Sequence, residues 1–217
     1  MRKAFVDLDG TLINSKARHI SVLQKVLDLF SLEKFSVEKF VQYKSNGFST
    51  KNYLSNELQI DDALSEKIFL QWVKLVESEE EINKDIWYED ALSFLTYLKE
   101  NRYWIVAVSA RKNKEGLLRF IERSQVSDLL DEIIVVSPMN AKADKEKYVI
   151  EHLGKINIVV GDTENDQIDD TRIRCFLLNR GFRSKEYWEE RNIRSFDSLS
   201  KVILEIEKKS KYQDEKI

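Results

Sequence analysis

The stretch that decides the fold is Ala4-Phe5-Val6-Asp7-Leu8-Asp9-Gly10-Thr11, close to the start of the sequence. Its apolar residues lead into two carboxylates one residue apart, and a glycine follows them directly. A continuous apolar run favours a strand covered on both faces, as in a parallel sheet. Carboxylates this close together are unfavourable unless a cation compensates for them. The stretch therefore predicts a buried strand that ends at a charged site.

Further apolar runs, rich in β-branched residues, follow later in the chain, and helical patterns lie between them. This alternation of strand and helix predicts an α/β domain with a doubly wound parallel sheet. The further strand runs are 105–108, 133–136, 156–160 and, more weakly, 175–178. The helical patterns cover 89–100, 114–123, 145–153 and 199–206. The charged tail, 208–217, is expected to fray.

Residues 15–85 interrupt this alternation because they carry no strand signal. Apolar residues instead recur at helical spacing over 20–30 and over 68–76. We therefore expect an all-helical insert over 15–85, with 1–14 and 86–217 forming the α/β core. The chain should cross between the two parts near 13–16 and 82–88. Gly47 breaks the helical pattern and predicts a loop within the insert.

Composition excludes several classes of function. Thirty-five Lys and Arg against 38 Asp and Glu give a net charge of −3, without the positive excess that nucleic-acid binding needs. No run of eighteen apolar residues occurs, so we expect neither a membrane span nor a signal peptide. Cys175 is the only cysteine, which leaves no intrachain disulfide and no Cys/His zinc site. We expect a soluble cytoplasmic protein with no nucleic-acid or membrane partner.

Polar residues follow several of the predicted strands at their carboxyl ends. Ligands of an open parallel sheet bind beyond these ends, so the side chains should meet at one edge. The residues concerned are Asp7, Asp9, Ser109, Lys142, Asp162 and Asp166. Clustered carboxylates with neither His nor Cys among them favour a hard cation such as Mg²⁺. The sequence therefore predicts a magnesium site at this edge.

The same edge carries groups suited to phosphoryl transfer. Ser109, Lys142 and the free backbone amides after Asp7 and Ser109 can donate to phosphoryl oxygens. Asp7 can attack phosphorus to form an aspartyl-phosphate. Asp9 lies on the same side of an extended strand and can protonate the leaving oxygen, then accept a proton from water.

Four motifs, in this order, resemble those of the haloacid dehalogenase (HAD) superfamily of phosphatases. They are residues 7–12, 106–109, Lys142 and 160–166. The helical insert after the first motif is similar to the cap of the phosphoglycolate phosphatase-like branch. The resemblance implies a Rossmann-like core with a C1-type cap, Mg²⁺ as cofactor, Asp7 as nucleophile and Asp9 as general acid and base. The implied metal ligands are Asp7, the Asp9 carbonyl, Asp162 and Asp166. The phosphate and substrate ligands predicted on this basis are Thr11, His19, Gly47, Phe48, Ser109, Ala110 and Lys142.

Some of these assignments have alternatives in the sequence itself. Lys145 is close enough to Lys142 to be the phosphate ligand in its place. Phe48 fits a substrate loop and a packed core equally well. Asp166 can serve a helix N-terminus through the helix dipole. Arg111 and Lys112 can steer anionic substrates, but an exposed basic pair at a helix start is the favoured interpretation.

An aspartate at position 9 points to phosphate ester hydrolysis or to phosphomutase chemistry within the superfamily. The resulting prediction is a Mg²⁺-dependent phosphatase that hydrolyses a small phosphorylated metabolite. The alternatives are a phosphomutase that uses the same residues and a non-catalytic protein that binds a phosphorylated ligand. The sequence indicates neither the particular substrate nor an oligomeric state.

Overall fold

The computed structural model describes residues 2–32, 35–152 and 154–214. Its strands are β1 (Arg2–Asp7), β2 (Ile13–Asn14), β3 (Ile86–Trp87), β4 (Tyr103–Ser109), β5 (Glu132–Val135), β6 (Ile156–Gly161), β7 (Arg174–Leu178) and β8 (Ser195–Phe196). Its helices are α1 (Lys16–Leu29), α2 (Val37–Ser45), α3 (Thr50–Asn52), α4 (Asp62–Leu75), α5 (Glu79–Ile82), α6 (Ala91–Glu100), α7 (Lys114–Glu122), α8 (Ala141–Glu151), α9 (Lys185–Glu189) and α10 (Leu199–Asp214). A π-helical turn spans Tyr53–Glu57, and 3₁₀ turns span Ser127–Leu129 and Glu164–Asp166.

Six strands form one parallel sheet in the order β5-β4-β1-β6-β7-β8. The first strand of the chain is therefore central, between β4 and β6. Ala4 and Val6 pack into the apolar cluster on one face of the sheet, and Phe5 packs into the cluster on the other. Helices cover both faces, which explains the continuous apolar run. The predicted doubly wound α/β fold is confirmed.

Some element boundaries differ from those predicted. The helix predicted over 145–153 begins earlier, at Ala141, and ends at Glu151, while Leu153 lies outside the described residues. The last helix continues to Asp214, within the charged tail whose fraying stays a prediction. Residues 215–217 lie outside the described part of the chain. The two-residue strand β8 had no sequence signal because it is too short for a periodic pattern.

Residues 15–85 form helices α1 to α5, and no strand lies among those of them that the structure describes. These helices share an apolar cluster of their own, which includes Leu23, Phe40, Ile68 and Trp72. Strands β2 and β3 join the insert to the sheet. They pair antiparallel, with Ile13 opposite Trp87, so the incoming and outgoing crossings lie side by side. We propose residues 15–85 as a separate domain on this double connection.

No helix among the described residues is both long and apolar enough to cross a membrane.

Candidate active site

Asp7 is the last residue of β1 and lies at the centre of the sheet's carboxyl edge, where it is buried. Its Oδ1 accepts a hydrogen bond from Lys145 Nζ at 2.6 Å, and its Oδ2 accepts one from Thr11 Oγ1 at 3.2 Å. The chain then turns sharply at Gly10, whose φ of +87° favours glycine. Position and hydrogen bonds thus fix the orientation of the Asp7 carboxylate.

Two further buried carboxylates lie beside Asp7. Asp162 follows β6 directly, and Asp166 ends the 3₁₀ turn that comes next. Ligand oxygens of the three residues all lie within 4.8 Å of one another. Asp162 Oδ1 is buried and has no hydrogen-bond partner among the described residues. Gly10 and Gly181 pack so closely on Asp162 that a Cβ at either position would collide with its carboxylate.

Burial and the closeness of the three carboxylates to one another make their charged forms unfavourable unless a cation is near. Burial raises the pKa of Asp7 to about 7; Lys145 opposes this rise, and Asp166 adds to it. Burial, with Asp7 and Asp166 next to it, also raises the pKa of Asp162 well above its ordinary value. A single ammonium group, that of Lys145, contacts the cluster in the described structure. The oxygen-only donors and the unpartnered Asp162 Oδ1 fit a hard divalent ion such as Mg²⁺.

Lys145, and not Lys142, is the lysine that the structure places at this site. Its Nζ donates to Asp7 Oδ1 at 2.6 Å and to Asp166 Oδ1 at 2.5 Å, and its side chain is 3% exposed. Ala141, Lys145 and Val149 form the buried stripe of α8 at a spacing of four residues. Lys142 lies off this stripe and is exposed. Because α8 begins at Ala141, Lys145 stands in its second turn and faces the sheet edge.

Asp9 lies outside the carboxylate cluster and is held by two arginines. Its Oδ1 accepts from Arg18 Nη2 at 2.6 Å and from Arg111 Nη2 at 2.5 Å. Its Oδ2 accepts from Arg111 Nε at 2.7 Å and from Ser109 Oγ at 3.2 Å. Desolvation raises the pKa of Asp9, but the guanidinium groups of Arg111 and Arg18 outweigh it and hold that pKa well below its usual range.

A second carboxylate, that of Asp85, completes this arrangement. Its Oδ1 accepts from Arg18 Nε at 3.0 Å, and its Oδ2 accepts from Arg111 Nη2 at 2.7 Å. We call Asp9, Arg18, Asp85 and Arg111 the arginine network. It joins the insert helix α1 to the core and to the crossing that leads into β3. Burial raises the pKa of Asp85 to about 6, against the opposing effect of the two arginines.

The arginine network was not predicted from the sequence. Arg111 is buried, so the interpretation of it as part of an exposed basic pair is wrong, whereas Lys112 is exposed. Arg111 follows Ser109 by two residues. Its position just after the end of a strand could have indicated that it belongs to the site. Arg18 and Asp85 carry no such signal, because 67 residues separate them along the chain.

The remaining predicted residues divide between the carboxyl edge of the sheet and the insert. Ser109 ends β4 and is buried, with Ala110 half-buried after it. The His19 ring lies against the rings of Trp72 and Phe182, with centroids 5.4 and 5.3 Å away. Burial, with Arg18 next in importance, lowers the pKa of His19 well below its ordinary value.

The predicted substrate loop lies between the insert and the core. Gly47 packs so closely against the Tyr187 ring that a side chain there would collide with it. The Phe48 side chain packs on Tyr43 and remains 46% exposed, so it does not belong to a packed core. Arg183 links the two parts of the chain, since it donates to Glu164 and to the Lys44 carbonyl.

Comparisons with known proteins agree with this geometry. Residues 5–172 match the sequence model of the haloacid dehalogenase-like hydrolases. The chain belongs to this family, and the superfamily predicted from the four motifs is confirmed. It is therefore a hydrolase by family.

Solved structures show the same fold at low sequence identity. A haloacid dehalogenase-like hydrolase from Streptococcus pneumoniae is 14% identical with a TM-score of 0.74, over 95% of this chain and 98% of that one. A predicted phosphoglycolate phosphatase from Haemophilus somnus is 17% identical with a TM-score of 0.71, over 95% and 97% of the two chains. A predicted phosphatase from Clostridium acetobutylicum is 17% identical with a TM-score of 0.70, over 96% and 100%. No curated protein sequence matches the chain significantly.

Proposed function

We propose that this hydrolase is a Mg²⁺-dependent phosphatase that cleaves a small phosphate monoester through an aspartyl-phosphate on Asp7. One observation carries the proposal. The Asp7 carboxylate is fixed by Lys145 and Thr11 at the end of the central strand, beside the Asp162 and Asp166 carboxylates. A carboxylate aimed into a cation-binding, donor-rich edge is the arrangement that nucleophilic attack on phosphorus requires.

Asp7, the Asp9 carbonyl, Asp162 and Asp166 are the residues that would hold Mg²⁺. A bound Mg²⁺ supplies positive charge to the phosphoryl oxygens and keeps the carboxylates ionised. Lys145 Nζ, Ser109 Oγ and the Ala110 amide supply donors to the same oxygens. Ser109 must release Asp9, to which it donates in the structure, when a phosphoryl group takes its hydroxyl proton.

The proposed reaction has two displacements at phosphorus. An Asp7 carboxylate oxygen forms a bond to phosphorus while the bond to the leaving oxygen breaks. Asp9 must first be released by Arg18 and Arg111, whose guanidinium groups hold its pKa low, and take up a proton from solvent, which it then gives to the leaving oxygen. A water molecule then attacks phosphorus, the bond to Asp7 breaks, and Asp9 takes a proton from the water. The products are the free alcohol and inorganic phosphate.

The helical insert would act as the cap over this site. Asp7, Asp162, Asp166 and Ser109 are all buried, and Arg18 of α1 contacts Asp9 directly. We expect the insert to move away from the core to admit substrate, with the paired crossings β2 and β3 as the hinge. The proposed partner is a small phosphorylated metabolite. The proposed location is the cytoplasm, in keeping with the lone Cys175.

The test is hydrolysis of an aryl phosphate by the purified protein with Mg²⁺. We expect release of inorganic phosphate, and we expect Asp7→Asn to abolish it. Hydrolysis that persists in Asp7→Asn would contradict the assigned nucleophile. Formation of an isomeric sugar phosphate without free phosphate would identify a phosphomutase. Tight binding without turnover of any phosphate ester would identify a non-catalytic binding protein.

A further inference from the structure

The short segment 181–184, which follows β7 and leads into α9, contacts both the carboxylate cluster and the insert. Its first residue, Gly181, packs on Asp162 so closely that a Cβ at that position would collide with the carboxylate. Its last residue, Ser184, donates its backbone N–H to the carbonyl of Ser45, at the end of α2, over 3.4 Å. We call residues 181–184 the bridging segment.

Arg183, within this segment, contacts both sides with one side chain. Its Nε donates to Glu164 Oε1 at 2.8 Å, and its Nη2 donates to Glu164 Oε2 at 3.1 Å. Its Nη1 donates to the Lys44 carbonyl of α2 at 2.9 Å. Glu164 lies between Asp162 and Asp166 in the sequence and begins the 3₁₀ turn. The bidentate pair fixes the geometry of this turn as well as its charge, and the same guanidinium ties the turn to the insert.

The Phe182 ring lies among side chains of the insert, although the residue belongs to the core. Its centroid is 5.3 Å from that of His19 and 6.3 Å from that of Phe40, and both pairs meet edge to face. The ring also packs against the apolar cluster of the insert. Movement of the insert away from the core must therefore break these contacts or displace Phe182 together with Gly181, its chain neighbour at Asp162.

We propose that Phe182 and Arg183 are positioning residues through which the position of the insert sets the Mg²⁺ affinity of the carboxylate cluster. This role rests on the Mg²⁺ site of the proposed function but does not require turnover. With the insert against the core, the bridging segment holds Glu164 and packs on Asp162, so the turn that carries the carboxylates is oriented before the metal binds. Because coupling between two sites is reciprocal, Mg²⁺ favours the same closed position of the insert.

Calorimetric titration of the full chain with Mg²⁺ at pH 8 measures this dependence without substrate. Arg183→Met should weaken Mg²⁺ binding by about 10- to 100-fold, the usual effect of losing a group that orients metal ligands. Arg183→Lys keeps the charge but not the bidentate geometry, so it should recover part of the affinity. Arg119→Met is the matched control, since Arg119 is an exposed arginine on α7. Its Mg²⁺ affinity should stay within about twofold of that of the unaltered protein.

Phe182→Ala separates positioning from a purely structural role, because the ring contacts the insert and the carboxylates lie elsewhere. It should weaken Mg²⁺ binding by about fivefold or more, the lower end of coupling between two sites. Phe69→Ala is the matched control, since Phe69 is a half-buried phenylalanine of α4 that stacks on Trp72. It should lower Tm and leave the Mg²⁺ affinity unchanged. Unchanged Mg²⁺ affinity in folded Phe182→Ala and Arg183→Met, or an equal loss in Phe69→Ala, would overturn the proposal.

Amide hydrogen exchange in the insert gives the reciprocal readout. Saturating Mg²⁺ should slow exchange in α2, whose last two carbonyls accept from the bridging segment, and Arg183→Met should remove this effect. Exchange in α2 that does not respond to Mg²⁺ in the unaltered protein would contradict the coupling. Failure to release phosphate would refute the proposed function alone, because neither measurement involves hydrolysis. Failure of the unaltered protein to bind Mg²⁺ would overturn the coupling whether or not phosphate is released.

Discussion

Replacing Lys145 by Met removes one ammonium group from between two buried carboxylates and leaves an unbranched apolar side chain in its place. Two charge-assisted hydrogen bonds are lost, at 2.6 Å to Asp7 and 2.5 Å to Asp166. At about 1.5–3 kcal/mol each, they amount to about 3–6 kcal/mol. Removal of one partner from a buried ion pair typically costs about 3–5 kcal/mol, which agrees. We expect a loss of about 3–5 kcal/mol in the free energy of unfolding at pH 8 without Mg²⁺.

The loss of unfolding free energy in Lys145→Met should be smaller at acidic pH. Burial already raises the pKa of Asp7 to about 7, with Lys145 opposing the rise, so this pKa goes higher in Lys145→Met. At pH 5.5 the Asp7 carboxyl of the variant is protonated, and no uncompensated charge remains on it. Thermal and urea unfolding at pH 5.5 and pH 8 measure the difference. For a chain of this size, 1 kcal/mol corresponds to about 2–4 °C in Tm.

Lys142→Met is the matched control, because Lys142 is an exposed lysine one turn earlier on the same helix. Its unfolding free energy should stay within about 0.5 kcal/mol of the unaltered protein. In activity, loss of one preorganised donor to a phosphoryl oxygen should lower kcat by about 10²- to 10³-fold in Lys145→Met. Equal losses in the two variants, or a Lys145→Met loss that does not depend on pH, would refute the reasoning.

Further predictions concern the metal and the glycines around it. The raised pKa of Asp7 stabilises the metal-free fold below about pH 4, and this contribution is lost as the pH rises towards 7, where Asp7 ionises. Mg²⁺ needs ionised ligands, so it should raise Tm more at pH 8 than at pH 5.5 and should do so less in Asp162→Asn; a shift independent of pH would contradict the site. Gly181→Ala should lower both activity and Mg²⁺ affinity, because its Cβ would collide with Asp162. Gly154→Ala is the control, since at φ +85° it adds backbone strain but meets no atom within 4 Å; equal Mg²⁺ affinity in the two variants would argue against the collision.

The candidate site at the carboxyl edge of the sheet could be predicted because its residues follow strands. Asp7, Ser109 and Asp162 stand where continuous apolar runs end, and parallel strands bring those ends together. Lys145 could not be distinguished from Lys142, because the choice depends on where α8 begins. Both lysines fit the motif spacing, and only the buried stripe through Ala141 and Val149 separates them.

The arginine network and the pairing of β2 with β3 could not be predicted from the sequence for a different reason. Arg18 and Asp85 lie close to the paired strands β2 and β3, and each of these strands has two residues, too few for a periodic pattern. Without that pairing, Asp85 is one of many acidic residues, and Arg111 is a basic residue near a helix start. Long-range ion pairs of this kind become visible only in three dimensions.

The aspartyl-phosphate itself is the central claim, and rapid acid quench followed by peptide mass spectrometry tests it most directly. The protein is mixed with an aryl phosphate and Mg²⁺, quenched within one turnover and digested. We predict that the peptide containing Asp7 gains the mass of one phosphoryl group and that fragmentation places it on Asp7. The modification should be absent in Asp7→Asn. A phosphoryl group on another residue, or turnover with no phosphorylated peptide at any quench time, would contradict the account.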